Sequence, residues 1–389
     1  MSAGINVGLA TRIGALAARP GPVITSAEGI HLVADLHGQV AKAFGYVAEI
    51  TGLDQAAARA AQSETLIVDR RGLIRSLINT VEELAKTAWK DEGLSWPARQ
   101  TASAQLGALT GVMAYRVLGH YDPFYRQSLP LAVNEALTRD ETTDSLRSDV
   151  TSPLPAGRSG GFGTRSAARS NSFSAVTAGR IVLAAPNILR FEREIEADPR
   201  DFHLWVALHE VTHAVQFAAA PWLADWLRER FEALIGADNE PGSPSEFLRA
   251  FKRLPDLFAD EAMPNTWSPL LSPVQSSLLA QITAAMSLLE GHADIIMDAV
   301  GPKVVRTLEH LRPRFEARRL ARGRLERAVR RAAGIEAKTA QYVQGAVFVR
   351  AGLAALGHEG FNAVFSSPAT LPTAAEMDDP AAWIARISG

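Results

Sequence analysis

The chain has 389 residues, of which 47% are hydrophobic and 21% charged, and its formal net charge is -2. This is a globular composition, long enough for one large core or two ordinary ones, and it creates no overall field that would attract nucleic acid or an anionic membrane. The sequence contains no cysteine, which excludes disulfides, thiolate metal ligands and cysteine nucleophiles, so any metal must be held by histidine or carboxylate side chains.

The N-terminal segment, residues 1–20, predicts an amphipathic first helix and not a secretory signal. Arg12 and Arg19 interrupt the apolar stretch at the place where a signal peptide needs a continuous apolar region. Charged residues recur within every window of about 18 residues, so the sequence predicts no membrane span. We therefore expect a cytoplasmic protein.

Three further helices are predicted in the first part of the chain. Thr25–Glu28 has the form of a capping box, and apolar residues then recur at helical intervals as far as Gly52. The same periodicity covers Leu73–Trp89, and Ser103–Leu118 is rich in Ala, Gly and Leu. Residues 1–138 are therefore predicted to form a helical layer.

The middle of the chain predicts a loop followed by a strand. Residues 139–179 are rich in Ser, Thr, Gly, Arg and Pro, which offers little apolar surface to offset the entropy of ordering them, so we expect a flexible loop. Arg180–Ala185 then contains a short β-branched run and is the best strand candidate. Its edge is a candidate binding surface for an extended peptide, with an ordinary core strand as the equal alternative.

The most informative stretch is His209-Glu210-Val211-Thr212-His213, within the apolar run Leu204–Ala220. Residues four apart lie about one helical turn from each other on one face, so the two imidazoles can share a metal ion, and Glu210 beside them can move a proton. The helix is apolar nearly all round, and uncoordinated charge would be costly to bury there. This context favours a metal site over a chance match.

A catalytic zinc needs three protein ligands and an open fourth position, so a third ligand must be found. A second apolar helix, predicted over Val274–Val300, carries Glu290 and Asp294 four residues apart. This spacing suits a carboxylate ligand together with a second carboxylate that orients a zinc-bound histidine. His292 is a competing ligand, and the alternative for Glu290 is a buried acid paired with an arginine.

The sequence thus predicts a zinc site of gluzincin type, with His209, His213 and Glu290 as ligands and Glu210 as general base for the hydrolysis of an amide bond. Tyr342 is a candidate to stabilise the developing oxyanion, although a plain core tyrosine is the commoner role.

The arginine-rich segment 312–331 predicts a solvated helix face in preference to a phosphate-binding stripe, because the total charge is near neutral. The fold class that we predict is mainly α (α+β). It has a zincin-like core over residues 180–389, a small short-stranded sheet and the N-terminal helical layer packed on that core.

Several blocks of the sequence resemble a family of zincin-like hydrolases, often described as zinc-dependent metalloproteases of unknown function, from actinobacteria and green non-sulfur bacteria. The blocks are Arg116–Pro123, Ala185–Ile188, Asp201–Pro221, Leu289–Asp294 and Ser367–Trp383. The resemblance implies zinc ligands at His209, His213 and Glu290 and a general base at Glu210. One branch, to which this chain is most similar, is named for an association with deazaflavin coenzyme biosynthesis.

Other functions stay open from the sequence. One is a zinc-stabilised structural or interaction protein without turnover, and another is an accessory factor that acts on a small amide during coenzyme assembly. We expect a peptide or small amide substrate, and neither nucleic acid nor membrane as a partner.

Overall fold

The structure of the protein is a computed structural model, and it describes residues 5–85, 96–125, 179–236, 272–321 and 339–389. All of these belong to one compact unit, which spans residues 1–125 and 178–389. The predicted flexible loop, residues 139–179, lies outside the described part except for Gly179. The division of the chain into regions 1–138, 139–179 and 180–389 therefore stays a prediction.

The N-terminal part is helical, as predicted. Its helices are α1 (Val7–Ala17), α2 (Ser26–Thr51), α3 (Asp54–Ala60), α4 (Arg70–Ala85) and α5 (Trp96–Ala114). The capping box is confirmed: the backbone N–H of Glu28 donates to the Thr25 hydroxyl, and the backbone N–H of Thr25 donates to the Glu28 carboxylate. The helix that starts there ends at Gly52, whose φ of 70° needs a glycine.

The second part of the chain adds further helices. They are α6 (Ala185–Glu194), α7 (Pro199–Ala219), α8 (Leu223–Gly236), α9 (Pro273–Ala299), α10 (Leu308–Ala321), α11 (Thr339–Phe361), α12 (Ala374–Asp378) and α13 (Pro380–Ser388). The Asp198 side chain caps α7, and a capping box at Ser272 starts α9. None of the described helices combines the length and apolar character that a bilayer crossing requires.

Three short strands form one sheet. They are β1 (Glu64–Val68), β2 (Gly119–Asp122) and β3 (Arg180–Ala184), in the order β1-β3-β2. The central strand is parallel to β1 and antiparallel to β2, with Gly119 opposite Leu183. Of the two alternatives for this strand, the ordinary core strand is the one observed, because both edges of β3 are paired and neither is free for a peptide.

The sheet separates two apolar layers. Ile181 and Leu183 face a large core built from α2, α6 and α7 together with the end of α9, whereas Val182 and Ala184 face a smaller core with α1, α4 and α5. A third cluster joins α8, the middle of α9, α11 and Trp383 of α13. The predicted mainly α fold with a small sheet is confirmed.

Candidate metal centre

Helices α7 and α9 pack together and bring the three predicted ligands into contact. The Nε2 atoms of His209 and His213 are 3.2 Å apart. Oε2 of Glu290 lies 3.5 Å from His209 Nε2, and Oε1 of Glu290 lies 3.6 Å from His213 Nε2. Within the described part of the chain, these three residues form a group whose possible ligand atoms all lie within 4.8 Å of one another.

These separations fit a shared zinc ion. Ligand atoms at about 2.0–2.2 Å from a tetrahedral zinc are roughly 3.4 Å from each other. The three separations measured, 3.2, 3.5 and 3.6 Å, lie around that value. Two imidazoles and one carboxylate are also a donor set that catalytic zinc accepts, with a fourth position left for water or substrate. The residues present therefore fit the metal.

The charges around the site favour a cation. Burial opposes the charged form of His209, but its hydrogen bond to Glu290 and the charges of Glu290, Glu210 and Asp294 outweigh burial and raise the pKa of His209 to about 9. The acidic side chains around His209 thus favour a positive charge at this position. For His213, burial prevails over the attraction of Glu290 and lowers the pKa, which keeps that imidazole in the neutral form that binds metals.

Glu210 lies deep in the site beside the edge of the sheet. It is 5% exposed, and a Cβ placed on Gly119, the first residue of β2, would be 2.9 Å from its Oε1. Burial raises the pKa of Glu210 to about 7, with a further contribution from Glu290 and an opposing one from His209. A carboxyl group that titrates near neutrality suits a general base.

Asp294 stands behind His209, on the side away from Glu290. Its Oδ1 is 3.8 Å from His209 Nδ1, and its Oδ2 is 3.8 Å from an Nη atom of Arg312. Arg312 also lies 3.3 Å from Asp298, which accepts a hydrogen bond from the Trp205 indole N–H at 3.2 Å. Arg312 begins the segment predicted to be a solvated helix face, so its place behind the site was not predicted.

Two further side chains contact the site without joining the ligand group. His292 is 1% exposed, and burial, followed by the charges of His358 and His213, lowers its pKa to about 3, so the ring is neutral. Its Nδ1 faces the Gln216 amide, whose other end contacts His213. The sequence indicated His292 only as a competing ligand and indicated no role for Gln216, although Gln216 follows His213 by three positions on one helix face.

Solvent reaches the site on the α9 side. The Glu290 side chain is 32% exposed, compared with 12% for that of His213. Tyr342 belongs to α11, but its side chain lies outside the described part of the structure, so its role as an oxyanion donor stays a prediction.

Comparisons with known proteins agree with this geometry. The sequence profile of a family described as zincin-like metallopeptidase matches residues 5–384. A solved structure from Chloroflexus aurantiacus, described as "a putative hydrolase with a novel fold", is similar with a TM-score of 0.61, 24% sequence identity and 99% of each chain covered. At that identity the similarity concerns the fold alone. No curated protein matches the chain.

Proposed function

Because this chain belongs to the family of zincin-like metallopeptidases, we propose that it is a zinc-dependent hydrolase of gluzincin type that cleaves an amide or peptide bond. The observation that carries the proposal is the convergence of His209, His213 and Glu290 at the separations that a tetrahedral zinc requires. The family resemblance noted in the sequence is confirmed. The association with deazaflavin coenzyme biosynthesis stays a prediction.

Each residue then has a chemical role. His209 and His213 would hold the ion through Nε2, and Glu290 would hold it through its carboxylate. Bound zinc polarises a carbonyl group and makes a water molecule easier to deprotonate. Glu210 takes the proton from the attacking water and gives it to the leaving amine, and a pKa near neutrality suits both transfers.

The surroundings of Glu210 favour an extended peptide as substrate. Among the described strands β2 is an edge strand, and a Cβ at its first residue, Gly119, would lie 2.9 Å from the carboxylate of the proposed base. A peptide that pairs with this edge through its backbone would pass beside Glu210. The proposed peptide-binding edge is therefore β2, in place of the central strand that the sequence suggested.

Metal analysis combined with two variants tests the proposal. We expect the purified protein to hold about one equivalent of zinc and His213→Ala to lose it, because two remaining ligands hold the ion poorly. Glu210→Gln should keep the zinc and cleave a fluorogenic peptide library about 10²–10⁴-fold more slowly than the wild type. The matched control is Glu192→Gln, another buried glutamate, which lies outside the group of ligands.

Two results would contradict the proposal. Zinc below about half an equivalent in the wild type, unchanged in His213→Ala, would exclude the metal site. Full zinc occupancy with no cleavage of the library would favour a zinc-stabilised structural protein over a peptidase.

A further inference from the structure

Gln216 is a buried glutamine that uses both ends of its amide group. It is 0% exposed and lies on α7 one turn beyond His213. Its Oε1 is 2.9 Å from Nδ1 of His213. Its Nε2 is 2.9 Å from the Leu289 carbonyl oxygen and 3.0 Å from Nδ1 of His292. The amide thus connects one proposed ligand to the backbone of α9.

The Leu289 carbonyl decides which way the amide points. A carbonyl oxygen can only accept hydrogen bonds, so the end of the Gln216 amide that faces it must be the nitrogen. The amide oxygen therefore faces His213 and can itself only accept. The hydrogen between them must then belong to His213 Nδ1, and a neutral imidazole protonated at Nδ1 keeps a lone pair on Nε2.

That lone pair points to the place where the ligands converge. Nε2 of His213 is the atom that lies 3.2 Å from His209 Nε2 and 3.6 Å from Glu290. The other tautomer, protonated at Nε2, would put a hydrogen there and could not bind a cation. A backbone group on α9 thus selects the tautomer that binds metal on α7.

His292 Nδ1 accepts a hydrogen bond from the second N–H of the Gln216 amide. Its ring is stacked on Phe361, with the ring centroids 5.7 Å apart, and meets the edge of Phe365 at 5.6 Å. Without an acceptor at this position, a buried N–H of Gln216 would lose its partner, which is costly. The ring therefore restrains the amide in the orientation that Leu289 selects.

The same amide also fixes the position of the third ligand. Leu289 immediately precedes Glu290, so the hydrogen bond from Gln216 ties α9 to α7 at the residue next to the carboxylate. A slip between the two helices would break this hydrogen bond and move Glu290 away from the imidazoles. The Gln216 side chain thus links the tautomer of His213 to the register between α7 and α9.

We propose that Gln216, restrained by the Leu289 carbonyl and His292, is a positioning residue that holds His213 in its metal-binding tautomer and keeps Glu290 in register with it. The inference rests on the proposed function in assuming that His213 binds zinc through Nε2. The tautomer itself, however, is a property of the chain and can be measured without metal.

The experiment uses the full-length chain and two readouts. Long-range ¹H–¹⁵N correlation spectra of the histidine rings, recorded on zinc-free protein, report which nitrogen of His213 carries the proton. Competition with a chromophoric chelator reports the dissociation constant for zinc. The variant is Gln216→Leu, and the matched control is Gln39→Leu, which removes another buried glutamine (2% exposed) whose amide contacts Asp35 on α2.

In the wild type, and in Gln39→Leu, we expect His213 to be protonated at Nδ1. In Gln216→Leu we expect a substantial population protonated at Nε2 and a zinc affinity about 10–100-fold lower, the usual effect of losing a partner that orients a ligand. His292→Phe should reduce the affinity less than Gln216→Leu and should still reach one equivalent of zinc at saturation.

Each remaining outcome is decisive. A wild-type His213 protonated at Nε2 overturns the inference even if the variants fail to fold, as does a Gln216→Leu protein with unchanged tautomer and affinity. Loss of zinc in His292→Phe as complete as in His213→Ala would make His292 a ligand and overturn its assigned role. A wild type that holds no zinc, but whose Nδ1 tautomer depends on Gln216, would support the positioning role of Gln216 and overturn the proposed function instead.

Discussion

A side chain at Gly119 would collide with the carboxyl group proposed as the general base. A Cβ at this position would be 2.9 Å from both Cγ and Oε1 of Glu210 and 2.7 Å from Cδ2 of Leu183. These distances are shorter than van der Waals contact, and the buried Leu183 has little room to move, so Glu210 must shift. We expect Gly119→Ala to lower kcat/KM for a peptide substrate by about 10²-fold, because a shift of about 1 Å in a catalytic group costs this much.

The measurement for this prediction is kcat/KM together with zinc content. Gly45→Ala on α2 is the matched control, because nothing lies within 4 Å of a Cβ there. Zinc content should stay unchanged in both variants, since the three atoms nearest to a Cβ at Gly119 belong to Leu183 and Glu210 and not to a ligand. A Gly119→Ala enzyme as active as the control would show that Glu210 does not act from the position seen here.

The raised pKa of His203 should make its contribution to stability decrease as the pH rises. Its Nδ1 is 2.6 Å from Asp35 and its Nε2 is 2.8 Å from Glu192. Burial acts to lower the pKa of His203, but the two hydrogen bonds and the two negative charges raise it above its ordinary value. A group whose pKa is raised by folding stabilises the protein fully below its unfolded pKa, about 6.5, and loses that effect as pH rises through the folded pKa.

Urea unfolding at a series of pH values from 6 to 9 tests this contribution. The difference in midpoint between the wild type and His203→Gln should be largest near pH 6 and should shrink as the pH rises. Comparison at equal zinc concentration cancels the pH dependence of metal binding. A difference that grows with pH would mean that His203 is held neutral between its two acids.

The residues of the site differ in how far the sequence could predict them. His209, Glu210 and His213 follow from local spacing on one helix, and Glu290 follows from the need of a catalytic zinc for a third ligand. Gln216 and Arg312 act through partners on other helices, so no local pattern marks them. A glutamine one turn after a ligand histidine indicates a positioning role only when the structure also shows a backbone carbonyl, here that of Leu289, that fixes the orientation of its amide.

Helices α9 and α11 touch backbone to backbone beside the third ligand. A Cβ on Gly345 would overlap the Ser287 carbonyl oxygen, and a Cβ on Gly291 would overlap the backbone of Gly345. Gly291 directly follows Glu290 in the chain. We expect Gly345→Ala to push the helices apart, to lower the free energy of unfolding by about 1–3 kcal/mol, as overpacking does, and to weaken zinc binding through Glu290.

Urea midpoints and zinc dissociation constants of Gly345→Ala and Gly38→Ala measure this effect. Gly38 is a helical glycine on α2 with nothing within 4 Å of a Cβ, so alanine there should be stabilising by about 0.5–1 kcal/mol. If Gly345→Ala proved as stable as Gly38→Ala, the close crossing of α9 and α11 would be excluded.

The long helices could be predicted from their own sequences, whereas two of the three described strands could not. Helix α2 has a capping box and apolar periodicity, and α7 and α9 are long apolar runs, so the positions of all three were predicted to within a few residues. Strand β1 and strand β2 were missed. The latter is Gly-His-Tyr-Asp, which has little intrinsic strand preference, and it is held in place by pairing with the buried β3.

On the scale of the whole molecule, the metal centre lies where two apolar clusters meet. Side chains of α7 such as Trp205 and Val211 belong to the cluster shared with α2 and α6, whereas Leu288 and Leu289 of α9 belong to the cluster shared with α8 and α11. The sequence could not predict this meeting, because it depends on packing between segments far apart in the chain. An ion bound by α7 and α9 would join the two clusters.

Removal of zinc should therefore destabilise the whole fold. A ligand that binds only the native state adds about 2.7 kcal/mol at a free concentration 100 times its dissociation constant. For a chain of 389 residues that corresponds to a melting temperature roughly 3 °C higher with zinc than with a chelator. Thermal unfolding measured with and without chelator tests this shift.

Glu210→Gln should show the same shift as the wild type, because Glu210 does not hold the ion, whereas His213→Ala should show none. Equal melting temperatures for zinc-loaded and chelated wild type would mean that the ion does not join α7 to α9.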